Sequence, residues 1–136
     1  MPDWISFPIN CDADVVGARQ RGRELAARLG FGAGDQTVIA AAISEIGRNI
    51  IRYANRGEML LRMEENGEGS GLVVVAHDNG PGIPDVTLAM QDGYSSAGGL
   101  GLGLPGARRL MDEFNIESAP GRGTTVTMKK WRGGRG

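Results

Sequence analysis

Glu45 and Asn49 stand four residues apart in a segment of helical periodicity. At about 100° per residue they fall about 40° apart on one side of a helix. A carboxylate can take the proton of a hydroxyl nucleophile, and an amide one turn along can hold a metal that neutralises phosphate charge. Together they could serve phosphoryl transfer. Three glycine-rich segments follow them. The first, Asp78-Asn79-Gly80-Pro81-Gly82-Ile83, opens on a carboxylate at the end of an apolar run. Asp78 there can accept a hydrogen bond from an exocyclic amine such as that of adenine, and Gly80 and Gly82 would let a ring approach the backbone next to Ile83. The second alternates Gly99, Gly101 and Gly103 with Leu100, Leu102 and Leu104. It presents backbone N–H groups and the start of a helix to an anion. No Gly-Lys-Ser/Thr follows, so it is not a P-loop. The third, Gly121-Arg122-Gly123-Thr124-Thr125, can bring the Thr124 hydroxyl beside a base held by Asp78. In this order the pieces describe an ATP site.

Each piece alone has an ordinary reading. A Glu and an Asn on a polar helix face are commonly just solvated. Asp-Asn-Gly-Pro is strong turn chemistry, and Gly-Arg-Gly suits a hairpin. His77, the only histidine, reads as a strand residue rather than a catalyst. One His and one Cys cannot make a structural zinc site.

The elements that must position these residues are legible in outline. Ile5 to Ile9 reads as a strand, and Asp12 or Asp14 can cap a helix to about Leu29. Asp35 can cap a second helix to about Ala54, with Ile39, Ile43, Ile46, Ile50 and Ala54 as its buried stripe. Met59 to Glu64 and Leu72 to His77 read as strands joined by a polar turn over 65–71. A short helix is expected after Pro84, a loop over 91–99, and a helix from about Pro105 to Phe114. Ile116 to Ala119 and Thr124 to Trp131 close the list of strands. The order predicts an α+β two-layer sandwich, with a mixed, mostly antiparallel sheet and helices on one face.

Composition bounds the rest. With 136 residues, 40% apolar and 23% charged, the chain is long enough for one domain with a real core. Residues 1–131 are expected to form a single ATP-binding domain, and 132–136 a flexible basic Gly/Arg tail; Lys129 and Lys130 read with Arg132 and Arg135 as a solvated end. A net charge of −1 argues against bulk nucleic-acid or anionic-membrane binding. A single cysteine permits no internal disulfide. Neither a leader pattern nor a bilayer-spanning apolar run is visible, so a cytoplasmic protein is expected. Glycine is the outlier at 23 residues, most of them in the three segments rather than in low-complexity runs.

The four segments together resemble the Bergerat-fold (GHKL) ATPases. Glu45-x-x-x-Asn49 matches the N box, Asp78-x-Gly80-x-Gly82 the first glycine box, Gly99-x-Gly101-x-Gly103 the lid, and Gly123-Thr124 the last box. Ala42-Ile43-Ser44-Glu45, Arg48-Asn49-Ile50, Gly98 to Gly101 running on through Leu104-Pro105-Gly106, and Arg109 to Phe114 look like the RsbT-type switch kinases of the stressosome. His77 stands where that pattern leads one to expect an acidic residue. The resemblance implies a serine/threonine kinase that uses ATP and Mg²⁺. Its substrates would be STAS-domain antagonist and scaffold proteins (RsbS- and RsbR-like), and it would activate an RsbU-type metal-dependent phosphatase. It also implies roles: Glu45 as general base, Asn49 as Mg²⁺ ligand, Asp78 as adenine reader with Thr124 in support, and Gly101 and Gly103 around the phosphates. Arg48 and Arg52 would be charge partners near the phosphates or the substrate. The alternatives of that resemblance are an anti-sigma factor kinase of the RsbW or SpoIIAB type and a nucleotide-gated binding module without turnover.

Overall fold

The computed structural model describes residues 4–66, 69–83 and 104–132. Strand β1 (Ile5–Ile9) is followed by helices α1 (Asp12–Arg28) and α2 (Ala33–Ala54). Strands β2 (Gly57–Asn66) and β3 (Gly69–Asp78) come next, then helix α3 (Leu104–Leu110) and strands β4 (Glu113–Ser118) and β5 (Thr124–Trp131). The five strands form one sheet in the order β1-β2-β3-β5-β4. Every neighbouring pair is antiparallel, so the expected mixed sheet is antiparallel throughout the described residues.

Strand alternation decides where the core lies. Leu72, Val74 and Ala76 of β3 and Val126 and Met128 of β5 share one face and join Ile39, Ile43, Ile46 and Ile50 of α2 in the core. Such side chains each stabilise the fold by about 1.5–3 kcal/mol when fully buried. Leu25 and Ala26 of α1 and Leu104 and Ala107 of α3 complete this layer. The helices therefore sit on one face, as the apolar stripe of α2 predicts.

The other face is covered by its own side chains. Register places Arg62, Val73, Lys129 and Glu113 side by side there. The Arg62 guanidinium lies over the Trp4 ring at 4.8 Å and pairs with Glu64 at 2.9 Å. Glu64 also meets Lys129 at 3.6 Å, and the Trp131 indole N–H donates to Glu113 at 2.6 Å. Under these long side chains Val73 is only 3% exposed. Their aliphatic stems shield it while the charges stay hydrated.

Several boundaries differ from expectation. Cys11, not an aspartate, occupies the N-cap of α1; the Asp14 carboxylate reaches back to the Asn10 N–H at 2.8 Å. Gly32 occupies the N-cap of α2, and Asp35 lies in the first turn, where a carboxylate favours the helix dipole. The helix expected over 105–114 ends at Leu110, because the chain beyond it joins β5: the Asp112 N–H donates to Lys129 O, and Glu113 and Phe114 pair with Lys129 and Met128. Strand β4 therefore begins three residues before the expected Ile116. Strands β2 and β3 stay paired as far as Asn66 and Gly69, so the polar turn is tighter than 65–71. Lys129 and Lys130 belong to β5 and are ion-paired, not part of a solvated tail. The short helix after Pro84, the 91–99 loop and residues 133–136 lie outside the described residues.

Candidate nucleotide and phosphoryl-transfer site

Helix α2 carries Glu45 and Asn49 beside its buried stripe. The Glu45 carboxylate accepts a bond from the Arg48 guanidinium at 2.6 Å, with both side chains partly exposed. Glu45 also borders a groove of about 630 Å³ between α1 and α2, lined by Arg19, Arg23, Thr37, Ser44 and Arg48. Asn49 is different: its amide nitrogen is buried and has no hydrogen-bond partner among the described residues. A buried donor of this kind is normally paired, which makes Asn49 a candidate for contact with a bound group. The amide oxygen, not this nitrogen, is the Asn49 atom that could ligate a hard cation.

Strand β3 carries Asp78 at its end, on the same face as Leu72, Val74 and Ala76. Its Oδ1 accepts the Gly80 N–H at 2.9 Å, which leaves the second oxygen for another donor. His77 points to the opposite face, where its Nδ1 lies 2.8 Å from Thr125 Oγ1, so it takes no part in this site. Thr124 is paired directly with Asp78 across β3 and β5.

The first and last glycine segments are stitched together. Gly82 has φ +80°, and a Cβ there would lie 2.0 Å from Ala119 O. Gly123 also has φ +80°, and its Cβ would lie 2.1 Å from Asp78 O. Both positions require glycine for backbone conformation and for close approach. The Gly121 N–H donates to Pro81 O at 2.7 Å, and the Ile83 N–H to Ser118 Oγ at 2.7 Å. Ser118 was not singled out in the sequence. Its only signal there is a serine six residues before Thr124 across a glycine turn, which becomes a cross-strand pair once the register is known.

The Gly80 backbone rests against Ala54, at the C-terminal end of α2. A rise of about 1.5 Å per residue then puts Asn49 about 8 Å and Glu45 about 14 Å along the helix from that contact. This span is on the scale of a nucleoside triphosphate. The structure thus sets Asp78, Gly80, Gly82, Ile83 and Thr124 together at one end of that span. Gly99, Leu100, Gly101, Leu102 and Gly103 lie outside the described residues; α3 begins directly after them at buried Leu104. Among the described residues no cluster of His, Cys, Asp and Glu could hold a metal alone. If magnesium entered with a nucleotide, the Asn49 amide oxygen would be the protein donor able to hold it, and the ion would supply charge neutralisation for the phosphates.

Residues 7–130 match the histidine kinase-like ATPase domain. Over 131 residues the chain is 47% identical to the serine/threonine-protein kinase RsbT of Bacillus subtilis, spanning 96% of this chain and 98% of that protein. The chain belongs to the RsbT-type serine/threonine-protein kinases of the histidine kinase-like ATPase family. Anti-sigma F factor of Clostridium kluyveri is 33% identical over 69% of each chain. The structure of the RsbU and RsbW domains of a Mycobacterium tuberculosis protein superposes with a TM-score of 0.65 at 23% identity, covering 99% of this chain and 34% of that one. The last likeness shows the fold alone. Membership of an ATP-using kinase family agrees with the four-segment reading of the sequence. No described helix of this RsbT-type chain is long and apolar enough to cross a membrane.

Proposed function

We propose that this RsbT-type kinase transfers the γ-phosphoryl group of Mg-ATP to a serine or threonine of a STAS-domain partner, and that it also activates an RsbU-type phosphatase. The observation that carries the site reading is the buried Asn49 amide, its nitrogen without a partner among the described residues, one helical turn from a Glu45 that borders an open groove. Magnesium, when bound with ATP, would neutralise phosphate charge. Asn49 offers it a protein ligand, and Asp78 and Thr124 orient the base.

Glu45 acts as general base. As the new O–P bond forms and the bond to ADP breaks, the hydroxyl proton passes to the Glu45 carboxylate. A positioned base of this kind contributes about 10²–10⁴-fold. Arg48 holds that carboxylate in place, and the groove beside it offers Arg19, Arg23 and Arg48 to an acidic segment of the protein substrate. Gly101 and Gly103 would wrap the phosphates.

The deciding experiment is transfer from labelled Mg-ATP to a cognate STAS protein, with Glu45→Ala as control. Transfer to serine or threonine that disappears in the variant is expected. Tight ATP binding without transfer would instead favour a nucleotide-gated binding module. The anti-sigma reading has support from the likeness to anti-sigma F factors. Capture of a sigma factor rather than an RsbU-type phosphatase would establish it; the end-to-end match to RsbT favours the phosphatase.

A further inference from the structure

Ser118 belongs to none of the glycine segments, yet its hydroxyl joins the elements around the base-reading pair. Register sets Ser118 opposite Thr124 and Thr124 opposite Asp78, at one end of three adjacent strands and on their helix-facing side. Ser118 Oγ lies 2.7 Å from Ile83 N, 3.0 Å from Gly123 O and 2.8 Å from Thr124 Oγ1.

Counting protons determines the direction of each bond. A hydroxyl has one proton and two acceptor lone pairs. The Ile83 N–H can only donate, and the Gly123 carbonyl can only accept. The Ser118 proton is therefore committed to Gly123, and one lone pair to Ile83. The contact with Thr124 requires the Thr124 hydroxyl to donate to Ser118. Thr124 then offers only lone pairs to anything bound beside Asp78. An ionised Asp78 is also acceptor-only, with Oδ1 already engaged by Gly80.

We propose that Ser118 is a positioning residue that sets the hydrogen-bond polarity of Thr124, so that the base site selects a purine carrying an exocyclic amine at its 6-position over one carrying an oxygen acceptor there. This rests on the reading of Asp78 and Thr124 as the base-binding pair. An amine meets acceptors and is satisfied. An oxygen acceptor meets lone pairs, and Thr124 has no free proton to relieve the mismatch. Sites built on hydrogen bonds discriminate in this way because the wrong ligand leaves buried polar groups unpaired.

The test compares the Kd of ATP with that of O6-methylinosine triphosphate, which carries an oxygen in place of the amine and keeps N1 unprotonated. Calorimetry would be run on wild type, Ser118→Ala, Ser118→Thr, Thr124→Val and Asp78→Asn. Ser118→Ala frees the Thr124 proton, so the preference for ATP is expected to fall roughly five- to tenfold, the size of one hydrogen bond. Ser118→Thr retains a hydroxyl and should keep most of the preference. Thr124→Val should lower it about as much as Ser118→Ala does. Equal weakening of both nucleotides by Ser118→Ala, with the preference intact, would show a merely structural role and overturn the proposal. If Ser118→Ala does not fold, Thr124→Val decides: full preference without that hydroxyl overturns it. An Asp78→Asn variant with unchanged ATP affinity removes the base assignment and this proposal together. A response at Asp78 without one at Ser118 leaves the base assignment standing and removes only the role of Ser118.

Discussion

Glu45 and Asn49 share a helix face but meet different surroundings, and that difference suits the two roles proposed for them. Glu45 is partly exposed, bonded to Arg48 at 2.6 Å and open to a groove, so an incoming hydroxyl can reach it. Asn49 has a buried amide nitrogen without a partner among the described residues, so it suits a ligand held inside the site. Glu45→Ala is expected to leave ATP affinity within about twofold and to lower transfer by about 10²–10⁴-fold. Calorimetry paired with a single-turnover transfer assay would check both halves; transfer equal to wild type would exclude the base role. Asp78→Asn keeps the shape but offers N–H donors where an adenine amine needs an acceptor. ATP affinity should fall at least tenfold by calorimetry, from a lost bond plus a clash of donors. Affinity equal to wild type would count against the adenine assignment.

Among the elements, the junction between the loop after β3 and the turn between β4 and β5 holds the site's geometry. Gly123 packs on the backbone of Asp78, and Gly82 on that of Ala119, so neither loop can shift alone. Gly123→Ala would force a Cβ into a backbone oxygen at a positive φ. Left-handed strain for a non-glycine residue costs about 1–3 kcal/mol, and the clash adds to it. The expected outcome is a lower melting temperature together with weaker ATP binding, read from thermal unfolding with and without Mg-ATP. Gly121→Ala is the matched control: it also has a positive φ, but its added Cβ meets nothing within 4 Å. Gly121→Ala should therefore cost less than Gly123→Ala, and equal losses would show that strain alone, not the junction, matters.

For the whole molecule, the sheet has one face buried under helices and one closed by its own charges and rings. Glu64 is central to that closure, since it meets both Arg62 and Lys129 with side chains only 23–29% exposed. Glu64→Ala should lower stability by about 1 kcal/mol in urea unfolding at low salt. Added salt should shrink the difference, because screening weakens such pairs. A loss that does not change with salt would assign the effect to packing over Val73 instead.

Much of this was legible in the residues alone. The isoleucine stripe of α2 and the apolar run of β3 announced a helical layer on a sheet, because burial periodicity follows directly from backbone geometry. Spacing alone placed Glu45 and Asn49 on one helix face, since a helix is a local structure. The first and last glycine segments could be marked as loops, because glycine clusters where the backbone needs unusual angles. What the sequence could not supply was anything set by pairing between distant strands. The start of β4 at Glu113, the ion pairs of Lys129 and Lys130, and the alignment of Asp78, Thr124 and Ser118 all depend on the register of β5 against its neighbours. The burial of Asn49 and the openness of Glu45 likewise depend on how α1, α2 and the sheet close around one another. Local periodicity chose the elements and the residue types that could do chemistry. Long-range pairing, which a one-dimensional pattern does not encode at any single position, decided which of them stand together.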